Sequence, residues 1–394
     1  MRISTSMIYN NGVQAFQNRS AEMLQLQTQF SSGKRVTTPS DDPLASASAL
    51  VVSQAKSVNS QWAVNRGSAK DALSTLDTTL GSVSDLIAYI KERTIQAGNG
   101  SLGASDLQAI AIDLRARFDQ MVAYANTNDP QGGYMFAGYR TDTQPFIGNL
   151  SSGIFYQGDQ GSRAIQISDS RVIPTSNSGN DVFMNIPSGN GFFSTSGDSG
   201  NSGGAAISAG TVSGTYSGNN YQIVFTSATD YDIYDTTAGG PAVASGSYTS
   251  GDPISIGGVT VNVVGAPASG DKFNITAGGS TDIFSTLKDL IGALENSSGD
   301  AFQAQVGKAM GNLDSALENV LRVRASVGSR INEVQSLDSF GSQLDVQYAD
   351  TISRLTDLDY AQASSDLVQK QLALQASQKA FVQTTGLSLF NYLT

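Results

Sequence analysis

The chain contains neither cysteine nor histidine among its 394 residues. Without cysteine it can form no disulfide, no iron–sulfur cluster and no thiolate zinc site, so its fold does not depend on the redox state of its surroundings. Without histidine it lacks the usual general base near neutral pH, the commonest zinc ligand and the middle member of a Ser-His-Asp triad. These absences exclude much of common enzymology and favour a building block over an enzyme.

The chain also lacks membrane and secretion signals. The first ten residues hold no apolar core of a signal peptide, and no run of 18 apolar residues could cross a bilayer. Taken alone, this predicts a cytoplasmic protein. Positive charge is scarce as well, since the net charge is -11, and residues 141–280 hold ten Asp and no Glu against only three cations. This acidity argues against nucleic-acid binding.

Helical periodicity is present at both ends of the chain, roughly residues 1–130 and 283–394. Asp42 followed by Pro43 is typical of a helix start, and the helix is expected to run to about Ala97. One further helical segment follows the turn at residues 98–103, and another lies towards the C-terminus. The three apolar stripes are Ala69, Leu73, Leu76, Leu80, Val83, Ile87 and Ile90; Leu107, Ile110, Leu114, Phe118, Met121 and Ala125; and Phe302, Val306, Met310, Leu313, Leu317, Val320, Val327, Ile331 and Val334, continuing to Leu355.

These inner helices, Pro43–Ala125 and Phe302–Leu355, are rich enough in apolar residues to bury their stripes within one subunit. We expect them to pack antiparallel. Arg324 interrupts the last stripe, either as a device that sets the helix register or as a side chain that extends its charge into solvent.

The outermost segments have much thinner apolar stripes. Val13, Phe16, Met23 and Phe30 are separated by Ser20 and Gln27, and the C-terminal segment is similarly sparse. Such faces cannot support a lone helix in water, so these segments should become ordered only when a partner covers them. The alternative for the first segment is a frayed terminal helix.

The middle of the chain is different in composition. Residues 141–280 hold 24 of the 41 Gly and six of the nine Pro, with no helical period. Short alternating stretches predict strands at 164–168, 221–225, 231–234 and 259–263, and Ser/Gly-rich residues 187–210 resemble a linker. The sequence therefore predicts a mainly α protein with a β insertion: a long antiparallel, coiled-coil-like helical rod from both termini plus a small antiparallel β domain.

Several short matches to catalytic or ligand-binding motifs have simpler explanations. Residues 197–200 and 200–204 resemble serine-hydrolase boxes, but no His is available to activate a Ser. The alternating Asp230, Asp232 and Asp235 lack the rest of a calcium loop and suit a solvated strand face. Residues 98–103 match G-x-G-x-x-G, yet the match follows a helix rather than a strand.

Four separated stretches resemble one family. They are Met1–Tyr9, Ser31–Pro43, Tyr134–Thr141 with Pro145 and Phe146, and Gly386–Leu393. In this order they are similar to the hook-associated protein 3 family, the hook–filament junction proteins of the flagellin superfamily. The likeness covers roughly residues 1–185 and 280–394, whereas the β insertion departs from it.

The resemblance implies a flagellin-like architecture. Residues 1–40 and 361–394 would be the terminal assembly helices that form an inner tube. Residues 41–186 and 280–360 would be a helical rod with a β-hairpin region, and 187–279 an outer β domain entered through a Gly/Ser-rich linker. In this family both terminal segments are disordered in the free subunit and become ordered on assembly.

The resemblance also implies partners and a location. Family members are exported unfolded by the flagellar type III system without a cleaved signal peptide, so the expected location changes to the extracellular flagellum. Partners would be further copies in a ring-forming oligomer, the other hook–filament junction protein, flagellin, and an export chaperone at the C-terminal segment. No cofactor, metal, nucleic acid or membrane is expected. The alternatives are a flagellin filament subunit and, more remotely, a carboxylate-based glycosidase in the β domain.

Site residues follow from the same resemblance. The loop before the rod would act as a hinge, and the sparse terminal stripes would pack between subunits. The hinge residues are Gly33, Lys34, Arg35, Pro39, Asp41, Asp42 and Pro43, and the assembly residues are Val13, Phe16, Met23, Phe30, Leu367, Leu374, Phe381, Leu389 and Phe390.

Overall fold

A computed structural model describes residues 5–129, 132–187, 189, 191–198, 200–296 and 299–386. Most of these residues are helical, which confirms the mainly α fold with a β insertion. The helices are α1 (Thr5–Ser32), α2 (Pro43–Ala97), α3 (Ala104–Ala125), α4 (Ile283–Asn296), α5 (Gly299–Thr356) and α6 (Tyr360–Gly386), with a π-helical turn at Asn180–Met184. No helix in these ranges is long and apolar enough to cross a membrane.

The strands lie between α3 and α4, and their pairings are antiparallel. They are β1 (Phe146–Asn149), β2 (Gly153–Tyr156), β3 (Ala164–Gln166), β4 (Val172–Pro174), β5 (Ile186–Pro187), β6 (Phe193–Gly197), β7 (Ala206–Ile207), β8 (Thr211–Val212), β9 (Tyr221–Phe225), β10 (Asp230–Asp235), β11 (Ala244–Ser247), β12 (Pro253–Ile256), β13 (Val259–Val264), β14 (Lys272–Ala277) and β15 (Ser280–Thr281).

The chain divides into two compact units. The terminal unit comprises the described residues up to Val64 and those from Leu337 onward, and the central unit comprises Asn65–Ser336. Both α2 and α5 therefore contribute to each unit. The three-part division expected from the sequence stays a prediction.

In the central unit, α2 and α5 run antiparallel and bury the predicted stripe. Leu73, Leu80 and Ile87 of α2 are fully buried, as is Val327 of α5. The antiparallel direction follows from contacts that join the end of α2 to the start of α5, with Gln303 Nε2 donating to the Gly98 carbonyl at 3.4 Å. Lys91 pairs with Asp314 further along. This part of the expected helix pairing is confirmed.

Arg324 crosses from α5 to α2. Its Nε donates to Asp77 Oδ1 at 2.9 Å, and this bond raises the pKa of the guanidinium. A Cβ placed on Gly81 would lie 3.5 Å from the guanidinium carbon, an ordinary van der Waals contact, so the guanidinium packs directly over this position. Because the Arg324 side chain is 42% exposed, the pair is worth at most about 1 kcal/mol. The contact fits the register interpretation, since only one alignment of the helices brings these charges together.

An aromatic cluster joins the helices of the central unit to the first hairpin. Phe146 of β1 lies 5.3 Å from Phe284 of α4 and 5.4 Å from Phe183, measured between ring centroids. Phe136, from the Tyr134–Thr141 motif, packs edge-on against Phe183 at 5.1 Å. All four rings are fully buried. The motif is therefore part of the core at the point where the hairpin meets the helices.

The β domain is a sandwich of two sheets. One has the strand order β11-β10-β9-β14-β6, and the other contains β12 and β13 with β7 and β8. Residues from both sheets form one apolar core, including Ile223, Phe273 and Val261. The predicted strands at 164–168, 221–225, 231–234 and 259–263 are all present as β3, β9, β10 and β13.

Part of the segment expected to be a linker belongs to this sandwich. β6 pairs with β14 in the register Phe193↔Ala277, and Phe193 is fully buried in the core. The expectation was wrong for this stretch because one buried aromatic and a ladder of backbone hydrogen bonds outweigh the Ser/Gly composition. Ser199 of the hydrolase-like matches lies outside the described residues.

In the terminal unit, the helices that were expected to bury their apolar stripes within one subunit do not do so. There most of the large apolar side chains of α2 are exposed, including Leu44 at 79%, Val51 at 67% and Val58 at 41%. In α5 no apolar side chain after Val334 is buried among the described residues. Stripes buried within one subunit are therefore limited to the central unit, and the transition lies well inside both helices rather than at their ends.

This difference predicts opposite outcomes for two matched truncations on α2. Leu80→Ala removes a fully buried side chain and should lower the free energy of unfolding by about 2–5 kcal/mol. Leu50→Ala makes the same change where the side chain is 70% exposed, and should alter it by no more than about 0.5 kcal/mol. Urea unfolding of the dilute subunit, followed by far-UV circular dichroism, measures both. Equal losses would contradict the burial described here.

Candidate assembly interface

In the terminal unit, α1 and α6 form an antiparallel pair. Tyr9 contacts Phe381 at one end, with ring centroids 5.4 Å apart. Phe30 packs edge-on against Tyr360 at the other end, also at 5.4 Å. Between these contacts Lys370 Nζ donates to Glu22 Oε2 at 2.5 Å, and this bond lowers the pKa of the Glu22 carboxyl. Two aromatic contacts and one ion pair therefore set the register of the two helices.

The pair leaves most of its apolar side chains incompletely buried. Among the described side chains of α1 and α6 only Ala363, at 3% exposure, is buried. The predicted assembly residues lie along the pair, and each is at least partly exposed: Phe16 is 36% exposed, and Val13, Met23, Phe30, Leu367, Leu374 and Phe381 are intermediate. Leu389 and Phe390 lie outside the described residues. One subunit therefore leaves the apolar stripes of both helices incompletely covered.

Further apolar side chains of the terminal unit are more exposed than those predicted from the sequence. They were not among the predicted assembly residues, because they lie beside the apolar stripes of α1 and α6 or on the N-terminal part of α2. They include Leu24 (66%), Val368 (65%), Leu372 (67%) and Val382 (67%) on α1 and α6, with Leu44, Val51 and Val58 on α2. The last three are spaced by seven residues, a signal that could have been found in the sequence.

The predicted hinge loop is closed by hydrogen bonds to two carboxylates. Asp41 Oδ2 accepts from the backbone N–H of Thr38 at 2.8 Å and of Thr37 at 3.0 Å. Asp42 Oδ1 accepts from the Ala45 N–H at 3.0 Å and so caps α2, as its position before Pro43 predicted. The bond from the Thr38 N–H holds the pKa of the Asp41 carboxyl below its usual range, and the bond from the Ala45 N–H does the same for Asp42.

The other hinge residues have equally specific positions. Gly33 directly follows α1 with φ 69°, the left-handed conformation that ends many helices. Pro39 lies in the turn closed by the Asp41 N–H and the Thr38 carbonyl, 3.0 Å apart. Lys34 forms an isolated antiparallel bridge with Asp357. The structure thus brings the predicted hinge residues together in one ordered loop.

Two of the three Asp residues of the glycosidase alternative accept hydrogen bonds from donors in their own turns. Asp230 accepts from the hydroxyl of Ser227 at 2.7 Å, and Asp235 accepts from the Ala238 N–H at 2.8 Å. These bonds lower the pKa of both carboxyls, whereas a glycosidase general acid needs a raised pKa. No group of three or more acidic side chains in the described ranges could hold a metal ion. Residues 98–103 form the turn between α2 and α3.

The hinge loop should respond to pH only in acid. Because the folded pKa of Asp41 lies below its unfolded value, its contribution to loop order is complete above about pH 4 and is lost as the pH falls further. Hydrogen exchange at the Thr37 and Thr38 amides, corrected for intrinsic rates, should therefore accelerate only below about pH 4. Asp41→Asn should remove this step. Opening between pH 5 and 6, or an unchanged step in the variant, would contradict the assignment.

Comparisons with known proteins agree with this arrangement. The N-terminal helical region of bacterial flagellin matches residues 3–141, and the C-terminal helical region matches residues 310–393. Flagellar hook-associated protein 3 of Escherichia coli strain K12 is 30% identical over 396 aligned positions, which cover 99% of each chain, and its Salmonella typhimurium counterpart is equally similar.

Solved structures show the same likeness. The flagellar junction protein FlgL from Legionella pneumophila matches with a TM-score of 0.71 at 29% identity, over 79% of this chain and 100% of that one. Xanthomonas campestris FlgL matches with a TM-score of 0.69 at 29% identity, over 77% and 99%. With flagellin-like helical regions at both ends and similarity along its full length, the chain belongs to the flagellar hook-associated protein 3 family.

Proposed function

We propose that this chain joins the flagellar hook to the filament as a structural protein, through its terminal helices. The observation that carries the proposal is the incomplete burial of the α1–α6 pair, where Ala363 is the one buried side chain among those described. An isolated subunit gains little from pairing such thin stripes, whereas neighbouring copies would cover them. Membership of a family of structural flagellar proteins supports the same role.

The subunits would form a ring through heterologous contacts, in which one surface of a copy meets a different surface of the next. The α1–α6 pair would be innermost, the longer helices around it, and the β domain outside. In this order residues 1–40 and 361–394 would form the inner tube, residues 41–186 and 280–360 the rod, and residues 187–279 the outer β domain. Leu44, Val51 and Val58 would extend the contact beyond the residues predicted from the sequence, because they too are left exposed by the single subunit.

The proposed partners are the other hook–filament junction protein on the hook side and flagellin on the filament side. A chaperone would cover the C-terminal segment before export through the flagellar type III system to the extracellular flagellum. The absence of Cys suits a chain that is exported unfolded, because no disulfide can form in transit. The role requires no cofactor and no catalytic step.

Removal of the C-terminal helix provides the first test. A chain lacking residues 361–394 should lose helical far-UV signal but keep the unfolding midpoint of the central unit, since α6 belongs to the other compact unit. It should fail to restore filaments when expressed in bacteria deleted for the full-length gene. Electron microscopy of isolated hooks measures the outcome. Normal hook-attached filaments would refute the proposal, and extended self-polymers of the purified full-length chain would favour a flagellin subunit instead.

A single polar substitution tests the surface more finely. Leu372→Ser replaces a side chain that is 67% exposed in the subunit, so the free energy of unfolding should change by no more than about 0.5 kcal/mol. If neighbouring copies bury Leu372, junction formation should fall about tenfold or more, the effect of losing an interface hot spot. Val243→Ser, at a 52% exposed position of the β domain, is the matched control and should leave assembly unchanged. Equal behaviour of the two variants would exclude Leu372 from the interface.

A further inference from the structure

A short hairpin of the central unit contacts both long helices. Its strands β3 and β4 pair in the register Ile165↔Ile173, and Ile167 and Ile173 are fully buried. The Ile167 N–H closes the hairpin by donating to the Arg171 carbonyl at 2.9 Å. Buried and exposed residues alternate along the strands, so one face of the hairpin is turned towards the interior. We call residues 163–177 the clasp.

Two neighbouring side chains of α2 hold the clasp by its backbone. Arg66 Nη1 donates to the Ile167 carbonyl at 3.2 Å, and Asn65 Nδ2 donates to the Gln166 carbonyl at 2.8 Å. Arg66 is only 3% exposed, and it lies three residues before Ala69, where the apolar stripe begins. The stripe is therefore continued by a buried charged side chain. Because a buried charge must be hydrogen-bonded, the bond to the clasp helps to make arginine tolerable at this position.

Two charged side chains tie α5 to the second half of the clasp. Arg171, just before β4, forms a two-bond ion pair with Glu333, in which Nη2 donates to Oε2 at 2.8 Å. These bonds lower the pKa of the Glu333 carboxyl and raise the pKa of the Arg171 guanidinium. Arg330 Nη1 donates to the Pro174 carbonyl at 3.3 Å and to Asn177 Oδ1 at 3.1 Å. The clasp is thus bound to α2 on one side and to α5 on the other.

The clasp lies where the buried apolar stripes end. On α5 the last buried apolar side chain is Val334, at 1% exposure. On α2 the fully buried Ala69 begins the stripe, and the next buried apolar side chain towards the N-terminus is Ala45. All four side chains on α2 and α5 that hold the clasp lie within four residues of Ala69 or Val334. A packed helix pair opens most easily from the end where its apolar contacts stop, and the clasp holds both helices at that end.

We propose that the clasp keeps opening of α2 and α5 in the terminal unit from spreading into the buried stripe of the central unit. This inference rests on the proposed function, in which the terminal segments become ordered only on assembly. With the core held closed, only those segments lose conformational entropy when neighbouring copies bind. The ties are hydrogen bonds rather than covalent links, so the clasp comes apart when the chain is unfolded for export.

Hydrogen exchange of the free, unassembled subunit tests the clasp. Arg171→Ala removes the ion pair to α5, so exchange should accelerate by about threefold in peptides covering residues 66–76 and 327–336, at the end of the stripe. This is the size of effect expected for a partly exposed ion pair. Peptides covering residues 83–95 and 221–225, away from the clasp, should be unchanged. Unchanged exchange at the end of the stripe, or equal acceleration in all peptides, would overturn the proposal.

Arg115→Ala is the matched control. Arg115 of α3 and Glu295 of α4 form a similar ion pair, and the arginine side chain is 52% exposed in this pair and in the Arg171–Glu333 pair. Because the Arg115 pair does not involve the clasp, its loss should leave exchange in residues 66–76 unchanged. Equal acceleration there in the two variants would show a general effect of losing an ion pair, and would overturn the proposal.

A double-mutant cycle tests whether the ion pair acts as a unit. Glu333→Ala should accelerate exchange in residues 66–76 about as much as Arg171→Ala does, and the double variant should exchange no faster than either, since all three lack the same contact. Multiplied effects would show that the two residues act separately, and would overturn the proposal. None of these measurements requires assembly. Failure of the wild-type chain to restore filaments would therefore refute the junction role alone, whereas the exchange results decide the clasp.

Discussion

The amount of apolar surface that two antiparallel helices can bury against each other decides what each part of this protein does. In the central unit the stripe of α2 is continuous, and Leu73, Leu76 and Leu80 are fully buried. Each such side chain contributes about 1.5–3 kcal/mol relative to an exposed one, so this region folds within one subunit. In the terminal unit the same kind of pairing leaves most apolar side chains partly or largely exposed. The two units therefore differ in how completely their helices bury apolar side chains.

Polar contacts set register where apolar burial is too weak to do so. The α1–α6 pair is aligned by the Glu22–Lys370 bond and by aromatic contacts at both ends. In the central unit Arg324 and Asp77 have a corresponding role on top of a complete core. The contrast is informative because an exposed ion pair contributes little stability in either place. Its value lies in excluding other alignments, and this matters most where apolar burial is least complete.

Much of the fold could be predicted from the sequence. The helix start at Asp42–Pro43 and the strands β9, β10 and β13 follow from local chemistry that acts over a few residues. The stretch around Phe193 could not be predicted, because its Ser/Gly composition is typical of a linker and only pairing with β14 makes it a strand. The contacts of Arg35 were equally hidden, since the α5 carbonyl that its guanidinium binds, that of Leu355, lies 320 residues away.

By itself, the sequence determined the class of protein and the nature of its ends. It has no Cys or His for common catalysis, and it has an acidic β insertion. At each helical end the outermost segment is poorer in apolar residues than the segment next to it. All of these are properties of composition and periodicity. The tertiary structure decided where the completely buried stripe stops and how the loop before α2 binds the loop after α5. Both depend on which residues distant in the chain come within a few ångströms of each other. Periodicity shows that a helix face is apolar, but only the packed structure shows whether that face is covered.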